Sequence, residues 1–291
     1  MLPEHVELVQ HEDWRYPDMA SKSVTPIFLI HDGGGTTFAY HCLESLKRLT
    51  YGIRNPRFSS GAHFAGGLAE MGSLYAQWIQ QTVSSPVFPK HKGRDGRISI
   101  LLGGWSLGGL LSLEVAKRLA DDRNIHVAGI IMVDSIYPGS IKSLVKLEEI
   151  TAPPEEGLSK NQVLSQRCMT EARRMVFEWQ MPVWDGVHAD KRPRAILLRA
   201  TEPVPQDLNP FHGLDSYRDE KMLGWEDYDA NMFDAILDVE GHHFDLFSFA
   251  RVEATTAVIK RALQKLQGSE KSRRCERWTN GLTSCWPPLR A

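Results

Sequence analysis

One stretch of the chain constrains its fold more than any other. Residues 98–116 read ISILLGGWSLGGLLSLEVA. Within it, Gly104-Trp105-Ser106-Leu107-Gly108 is a GxSxG pattern. Five positions with three fixed are a weak match alone, but the flanks add the constraint. An apolar run, Ile98 to Leu102, predicts a buried strand directly before the pattern. Leu110, Leu113 and Ala116 fall on one face of a predicted helix directly after it. In a strand–turn–helix of this kind the serine sits at a sharp, strained elbow. Its neighbours must be small for the chain to turn there, and the hydroxyl is lifted clear of the sheet. The N-terminus of the following helix lies beneath it, where the helix dipole favours developing negative charge. A glycine-rich turn with an incidental serine would leave the flanks unexplained. Ser106 is therefore the candidate nucleophile.

The rest of the chain supplies the sheet that such an elbow needs. Pro26 to Ile30, Tyr51 to Ile53, Val127 to Val133, Arg194 to Ala200 and Ala235 to Val239 read as further short strands. Amphipathic segments at Leu68 to Val83, Leu110 to Ala120 and Phe247 to Leu266 read as helices. The alternation predicts βαβ units and a mainly parallel sheet flanked by helices. No internal repeat is present. With 291 residues the chain has enough length for one large domain with a substantial core. Its net charge of −2 lacks the basic bias of a nucleic-acid partner. No stretch reaches the ~18 apolar residues of a membrane span. The polar, acidic N-terminus lacks the basic and apolar regions of a secretory signal. Cys42, Cys168, Cys275 and Cys285 are scattered, with no CxxC pair to hold a structural zinc. Reduced thiols in a cytoplasmic protein are the expectation.

Serine is a poor nucleophile until a base takes its proton. In this strand–elbow–helix architecture the chain order is serine, acid, histidine. Gly241-His242-His243-Phe244-Asp245 follows the last predicted strand, so one of the two histidines is the expected base. His188 and His212 follow no predicted strand closely and read as surface residues. Two carboxylates qualify as the acid. Asp134 ends the strand after the nucleophile helix, at the edge where such sheets bind ligands. Glu202 follows the next strand. Either would hold the imidazole tautomer and stabilise the imidazolium.

His31-Asp32-Gly33-Gly34-Gly35-Thr36 follows the first clear strand, where a glycine-rich loop gives backbone amides close access to an oxyanion. The expected donors are the amide of Leu107 and one from Gly33 or its neighbours. A dinucleotide-binding loop is the rival reading. It would need glycine or alanine at position 38, where Phe38 stands.

These motifs together (PIFLIHDGGGTTF, YGIRNPRF, GGWSLGGLLSLEVA, VDSIYP and GHHFDLF) resemble the thioesterases of polyketide and nonribosomal peptide synthesis. These are members of the α/β-hydrolase superfamily. The resemblance runs from about Pro26 to Gln267 and is strongest to free-standing fungal members. It implies Asp134 rather than Glu202 as the acid and, through a GxHF-like pattern, His243 rather than His242 as the base. It implies a substrate held as an acyl or peptidyl thioester on the phosphopantetheine arm of a carrier protein, no cofactor and no metal. The oxyanion loop departs from the proline-rich version frequent in the family. An acyltransferase or cyclase on the same fold, a general carboxylesterase and a noncatalytic carrier-binding protein are the competing readings.

Two regions break the βα rhythm. Pro138 to Asp190 has no clear strand and is rich in Met, Trp and charge, which predicts a helical lid in a single domain spanning 1–267. In Met169 to Trp184, the residues Met169, Arg173, Val176 and Phe177 suit either an acyl-lining helix or plain core packing. Lys142, Lys146, Arg173 and Arg174 suit an acidic carrier or a solvated surface. Gly268 to Ala291 is polar and aperiodic and reads as a loosely ordered tail.

Overall fold

The computed structural model describes residues 2–11, 24–90, 92–93, 95–139, 150, 155–206, 208 and 212–281, with side chains to 267. Seven strands form one sheet in the order β1-β3-β2-β4-β5-β6-β7. They are β1 Val6–Gln10, β2 Ile27–Ile30, β3 Thr50–Ile53, β4 Ile98–Trp105, β5 Ile125–Val133, β6 Ala195–Ala200 and β7 Ala235–Val239. All neighbours pair in parallel except β1, which runs antiparallel to β3 with Val6 opposite Ile53. The helices are α1 Phe38–His41, α2 Gly67–Ser84, α3 Leu107–Arg118, α4 Lys160–Glu178 and α5 Val252–Gly281.

The strands read as apolar runs because both faces of the sheet are covered. Phe28, Ile30, Ile100, Leu102, Ile130 and Met132 pack with Tyr75 of α2, Leu111 of α3 and Met175 of α4. Their neighbours in sequence, Ile27, Leu29, Leu101 and Ile131, point the other way and pack with Tyr40 of α1 and Leu263 of α5. The alternation divides each strand between two cores. Each fully buried large side chain contributes on the order of 2 kcal/mol.

Several boundaries differ from the sequence reading, and three of the differences bear on the frame of the fold. The polar, acidic N-terminus, for which the sequence reading gives no strand, carries β1. This is a short edge strand in which Val6 alone is buried, so no apolar run marks it. The predicted turn over 103–109 shrinks to Ser106 alone, because Gly103 to Trp105 continue β4 and α3 starts at Leu107. The glycines serve close packing: a Cβ on Gly104 would stand 2.7 Å from the Ile30 carbonyl oxygen, and one on Gly108 would collide with it. The closing helix continues to Gly281, past the predicted end at Leu266, and residues 282–291 lie outside the described ones. No helix among the described residues is long and apolar enough to cross a membrane.

Among the described residues, 155–190 contain no strand. The segment carries α4, whose Ser159 forms a capping box with Gln162. Its C-terminal end is tied to the body by Trp179 Nε1, which donates to Glu114 of α3 at 3.1 Å. Its middle is tied by Glu171, which accepts from the Phe64 amide at 3.1 Å, and by Arg174, which donates to the Phe64 carbonyl at 3.0 Å.

Candidate active site

Six parallel strands end on one side of the sheet, and four of them, β2, β4, β5 and β7, each deliver one part of the site. Ser106 follows β4 at φ 54° and ψ −115°, a strained backbone for a residue with a Cβ. Three hydrogen bonds hold it there. Its amide donates to Val133 O at 2.8 Å, and its carbonyl accepts from Ser135 Oγ at 2.7 Å and from the Gly109 amide at 3.1 Å. The elbow is thus fastened to the end of β5 as well as to its own helix.

Asp134 follows β5 and is fully buried, also at positive φ, 45°. Oδ2 accepts from His243 Nδ1 at 2.8 Å and from Arg218 Nη2 at 3.0 Å. Oδ1 accepts from Arg218 Nη1 at 2.7 Å and from the Ala200 amide at 2.9 Å. Burial by itself would push this carboxyl up, but His243 and Arg218 together hold it down at about 2.

His243 lies on the loop after β7 and is 3% exposed. Nδ1 faces a carboxylate, so Nδ1 carries a hydrogen and Nε2 is the ring nitrogen left to exchange a proton with a reacting group. The imidazole is boxed by Trp105, 5.5 Å between ring centroids, and by the edge of Phe244 at 5.0 Å. The adjacent His242 turns the other way, with Nε2 3.7 Å from Asp245. Glu202 is half exposed and faces Arg251 at 3.5 Å. His188 pairs with Asp121 at 2.9 Å, and the His212 side chain is outside the described residues.

Gly33, Ser106, Leu107, Asp134 and His243 border one cavity of about 130 Å³. The rest of its wall is mainly apolar: Leu110, Ile136, Met169, Ala172, Val176 and Phe244. Of the α4 face predicted from sequence, Met169, Arg173 and Val176 line this cavity. Burial lowers the Arg173 guanidinium to about 10, which leaves it charged at neutral pH. Arg174 is engaged by Glu171 at 2.8 Å and by Glu178, so the two arginines do not form one surface patch. Lys142 and Lys146 lie outside the described residues.

The loop after β2 is held by residues that the sequence reading did not single out. His31 Nδ1 donates to Asp32 O at 2.6 Å, and Nε2 accepts from Tyr75 OH at 2.7 Å. Burial drops this imidazole to about 4, so it stays neutral and keeps that tautomer. Tyr40 OH donates to Ile30 O at 2.6 Å and accepts from the Trp105 amide at 2.9 Å, pinning the loop beside the elbow. A Cβ on Gly33 would meet Ala172 and Met169 of α4 at 3.8 and 3.9 Å, so α4 lies directly over the loop. Asp32 itself is different. Its buried Oδ1 has no hydrogen-bond partner among the described residues. Burial pushes the carboxyl up to about 6, only partly offset by the Gly34 amide, His243 and the amides of Thr36 and Gly35.

Arg218 was also missed. It sits in a charged, aperiodic stretch, Asp215 to Lys221, where nothing in the sequence distinguishes a buried arginine from a solvated one. Among the described residues no group of three His, Cys, Asp or Glu side chains is placed to hold a metal ion. Cys42 and Cys168 are free thiols.

The chain is similar to known proteins along most of its length. A family model described as thioesterase domain matches residues 25–263. The thioesterase frbD of Dothideomycetidae sp. is 36% identical over 249 residues, covering 83% of this chain and 90% of that protein. The probable thioesterase BOA10 of Botryotinia fuckeliana is 31% identical, covering 92% of this chain and 93% of that one. Among solved structures, the NocB thioesterase domain from the nocardicin cluster aligns with a TM-score of 0.60 at 23% identity, covering 90% of this chain and 99% of that one. The type II thioesterase BorB from the borrelidin biosynthetic cluster aligns at 0.55 with 13% identity, covering 90% and 99%. At these identities the structural likeness concerns the fold.

Proposed function

The chain belongs to the thioesterase family, on an α/β-hydrolase fold, and from that premise we propose that it is a serine thioester hydrolase whose triad is Ser106, His243 and Asp134. The observation that carries the assignment is the shared cavity. A strained serine at a strand–helix elbow opens on the same space as a buried histidine whose Nδ1 is 2.8 Å from a buried carboxylate.

In the reaction so read, Ser106 Oγ attacks the thioester carbonyl while His243 Nε2 takes the hydroxyl proton. Asp134 holds the imidazole and balances the imidazolium. The amides of Leu107 and Gly33 receive the oxyanion of the tetrahedral intermediate. That intermediate collapses with cleavage of the C–S bond, and the thiolate leaves with the proton from His243. Water, deprotonated by His243, then attacks the acyl-serine. The second tetrahedral intermediate releases a carboxylic acid and restores the serine.

The substrate class that fits is an acyl or peptidyl group on the phosphopantetheine arm of a carrier protein in secondary-metabolite synthesis. This reading is supported by the relatives' descriptions, one from the nocardicin and one from the borrelidin cluster. Residues 1–267 then form one catalytic domain of a cytoplasmic protein, with the insertion expected at 138–190 as a lid, of which 140–149 and 151–154 lie outside the described residues. Met169, Ala172 and Val176 on its helix α4 give the acyl chain an apolar wall.

Intact-protein mass spectrometry tests the proposal. Wild type and Ser106→Ala are each mixed with an acyl-pantetheine thioester. The expected result is an adduct of acyl mass on wild type alone, with free acid accumulating. Thioester cleavage undiminished in Ser106→Ala would overturn the serine assignment.

A further inference from the structure

The carboxylate that faces His243 is shared. Arg218 also holds it, with a two-toothed grip: Nη1 to Oδ1 at 2.7 Å and Nη2 to Oδ2, the oxygen that also accepts from His243, at 3.0 Å. The guanidinium is 7% exposed as a residue and spends its remaining hydrogens on fixed partners. Nη1 also donates to Ala200 O at 3.0 Å, and Nε donates to Asp215 Oδ1 at 3.1 Å. Asp215 is itself fixed, since Oδ2 accepts from the Val204 amide at 2.9 Å. The segment that carries Arg218 is docked by Trp225, fully buried, whose Nε1 donates to Ser135 O at 2.7 Å, one residue from Asp134.

We infer that Arg218 is a positioning residue for the triad, acting through Asp134 in two ways. It fixes the carboxylate plane so that Oδ2 points at His243 Nδ1, and it offsets part of the negative charge that the imidazole feels. This inference rests on the proposed triad.

The two effects have separable chemistry. A planar fork bridges both oxygens of one carboxylate, and a lysine ammonium is a point charge that does not reproduce that geometry. A cation within several ångströms of an imidazole favours its neutral form. Other charged or titratable groups also face His243. Asp32 approaches from the loop after β2, and Arg173 lines the same cavity from α4. His242 and Asp245 lie on its own loop, and Asp215 lies behind Arg218. All of these remain in place when only Arg218 is changed, so a shift between variants reports on the arginine.

The test compares wild type, Arg218→Lys and Arg218→Gln for hydrolysis of one acyl-pantetheine thioester across pH. Circular dichroism and a thermal melt establish that each is folded. Arg218→Lys should lose about tenfold in kcat with KM changed less than about threefold, and its acid limb should stay where wild type has it. Arg218→Gln should lose about a hundredfold in kcat, and its acid limb should move up by about one pH unit, because the uncompensated carboxylate favours the imidazolium. The low-field proton resonance of His243 Nδ1–H should shift in both variants.

Full kcat in folded Arg218→Lys would remove the role of the fork. Equal losses in both variants with an unmoved acid limb would reduce Arg218 to a structural residue. If Arg218→Gln does not fold, Arg218→Lys keeps a cation beside Asp134 and Asp215 and decides the matter through kcat. Failure of the triad reading looks different: wild type itself forms no adduct on Ser106.

Discussion

Two aspartates stand on either side of the elbow strand, at the ends of its neighbours. Asp32 lies two residues beyond β2 and Asp134 one residue beyond β5. Both have buried carboxyl oxygens near His243, and they are driven in opposite directions. Asp134 receives hydrogen bonds from His243, Arg218 and the Ala200 amide and is held at about 2. Asp32 has an oxygen with no partner among the described residues and is pushed up to about 6. Burial acts on both alike. The number and charge of the donors decides which one is a permanent anion, and that makes Asp134 suited to orient an imidazole.

The contrast is open to direct tests. The largest effect expected is on catalysis: Asp134→Asn should lower kcat/KM by about 10³–10⁴-fold, since an amide fails to fix the tautomer. Asp32→Asn should lower it less than about tenfold. Thioester hydrolysis by the two purified variants measures both, and equal losses would break the comparison.

Stability should part the pair next. Asp134→Asn leaves Arg218 buried beside one carboxylate fewer and should cost about 3 kcal/mol in urea unfolding at pH 7. Asp32→Asn removes a poorly solvated charge and should stabilise by on the order of 1–2 kcal/mol at the same pH.

The pH dependence has opposite signs. For Asp134 the folded value lies below the ordinary 3.8, so its contribution is complete above about pH 4 and is lost as pH falls through about 2. For Asp32 the folded value, about 6, lies above 3.8. The folded state therefore holds that proton more tightly than the unfolded chain, and stability falls as pH rises from about 4 to about 6. Wild type and Asp32→Asn should thus differ more at pH 8 than at pH 4.5, and urea midpoints at the two values check this. The smallest effect concerns the second candidate acid. Glu202→Gln, which touches only the half-exposed pair with Arg251, should change kcat/KM by less than about twofold. A loss near that of Asp134→Asn would shift the role of triad acid towards Glu202.

Much of this molecule was legible before the fold. The strands buried on both faces announced themselves as apolar runs, and β7 was bounded at Ala235–Val239 by sequence alone. The pairing of GxSxG with its flanks located Ser106, because the local chain must turn there whatever surrounds it. β1 was hidden, since an edge strand with one buried residue carries almost no apolar signal. Of the α4 face read from the sequence, Met169, Arg173 and Val176 line the cavity and Phe177 does not, and the placement of Arg174 against Glu171 and Phe64 was not visible.

Sequence by itself determined the parts whose information is local: the alternation of strands and helices, the elbow serine, the glycine-rich loop, and two histidines after the last strand. Tertiary structure decided the choices between neighbours. It turned His243 toward Asp134 and His242 toward Asp245, set Glu202 against Arg251, and brought Arg218, 84 residues away in sequence, onto both oxygens of Asp134. The reason is that hydrogen-bond partners and burial are properties of positions in space. A residue's charge and basicity follow from those partners, and the chain order alone does not specify them.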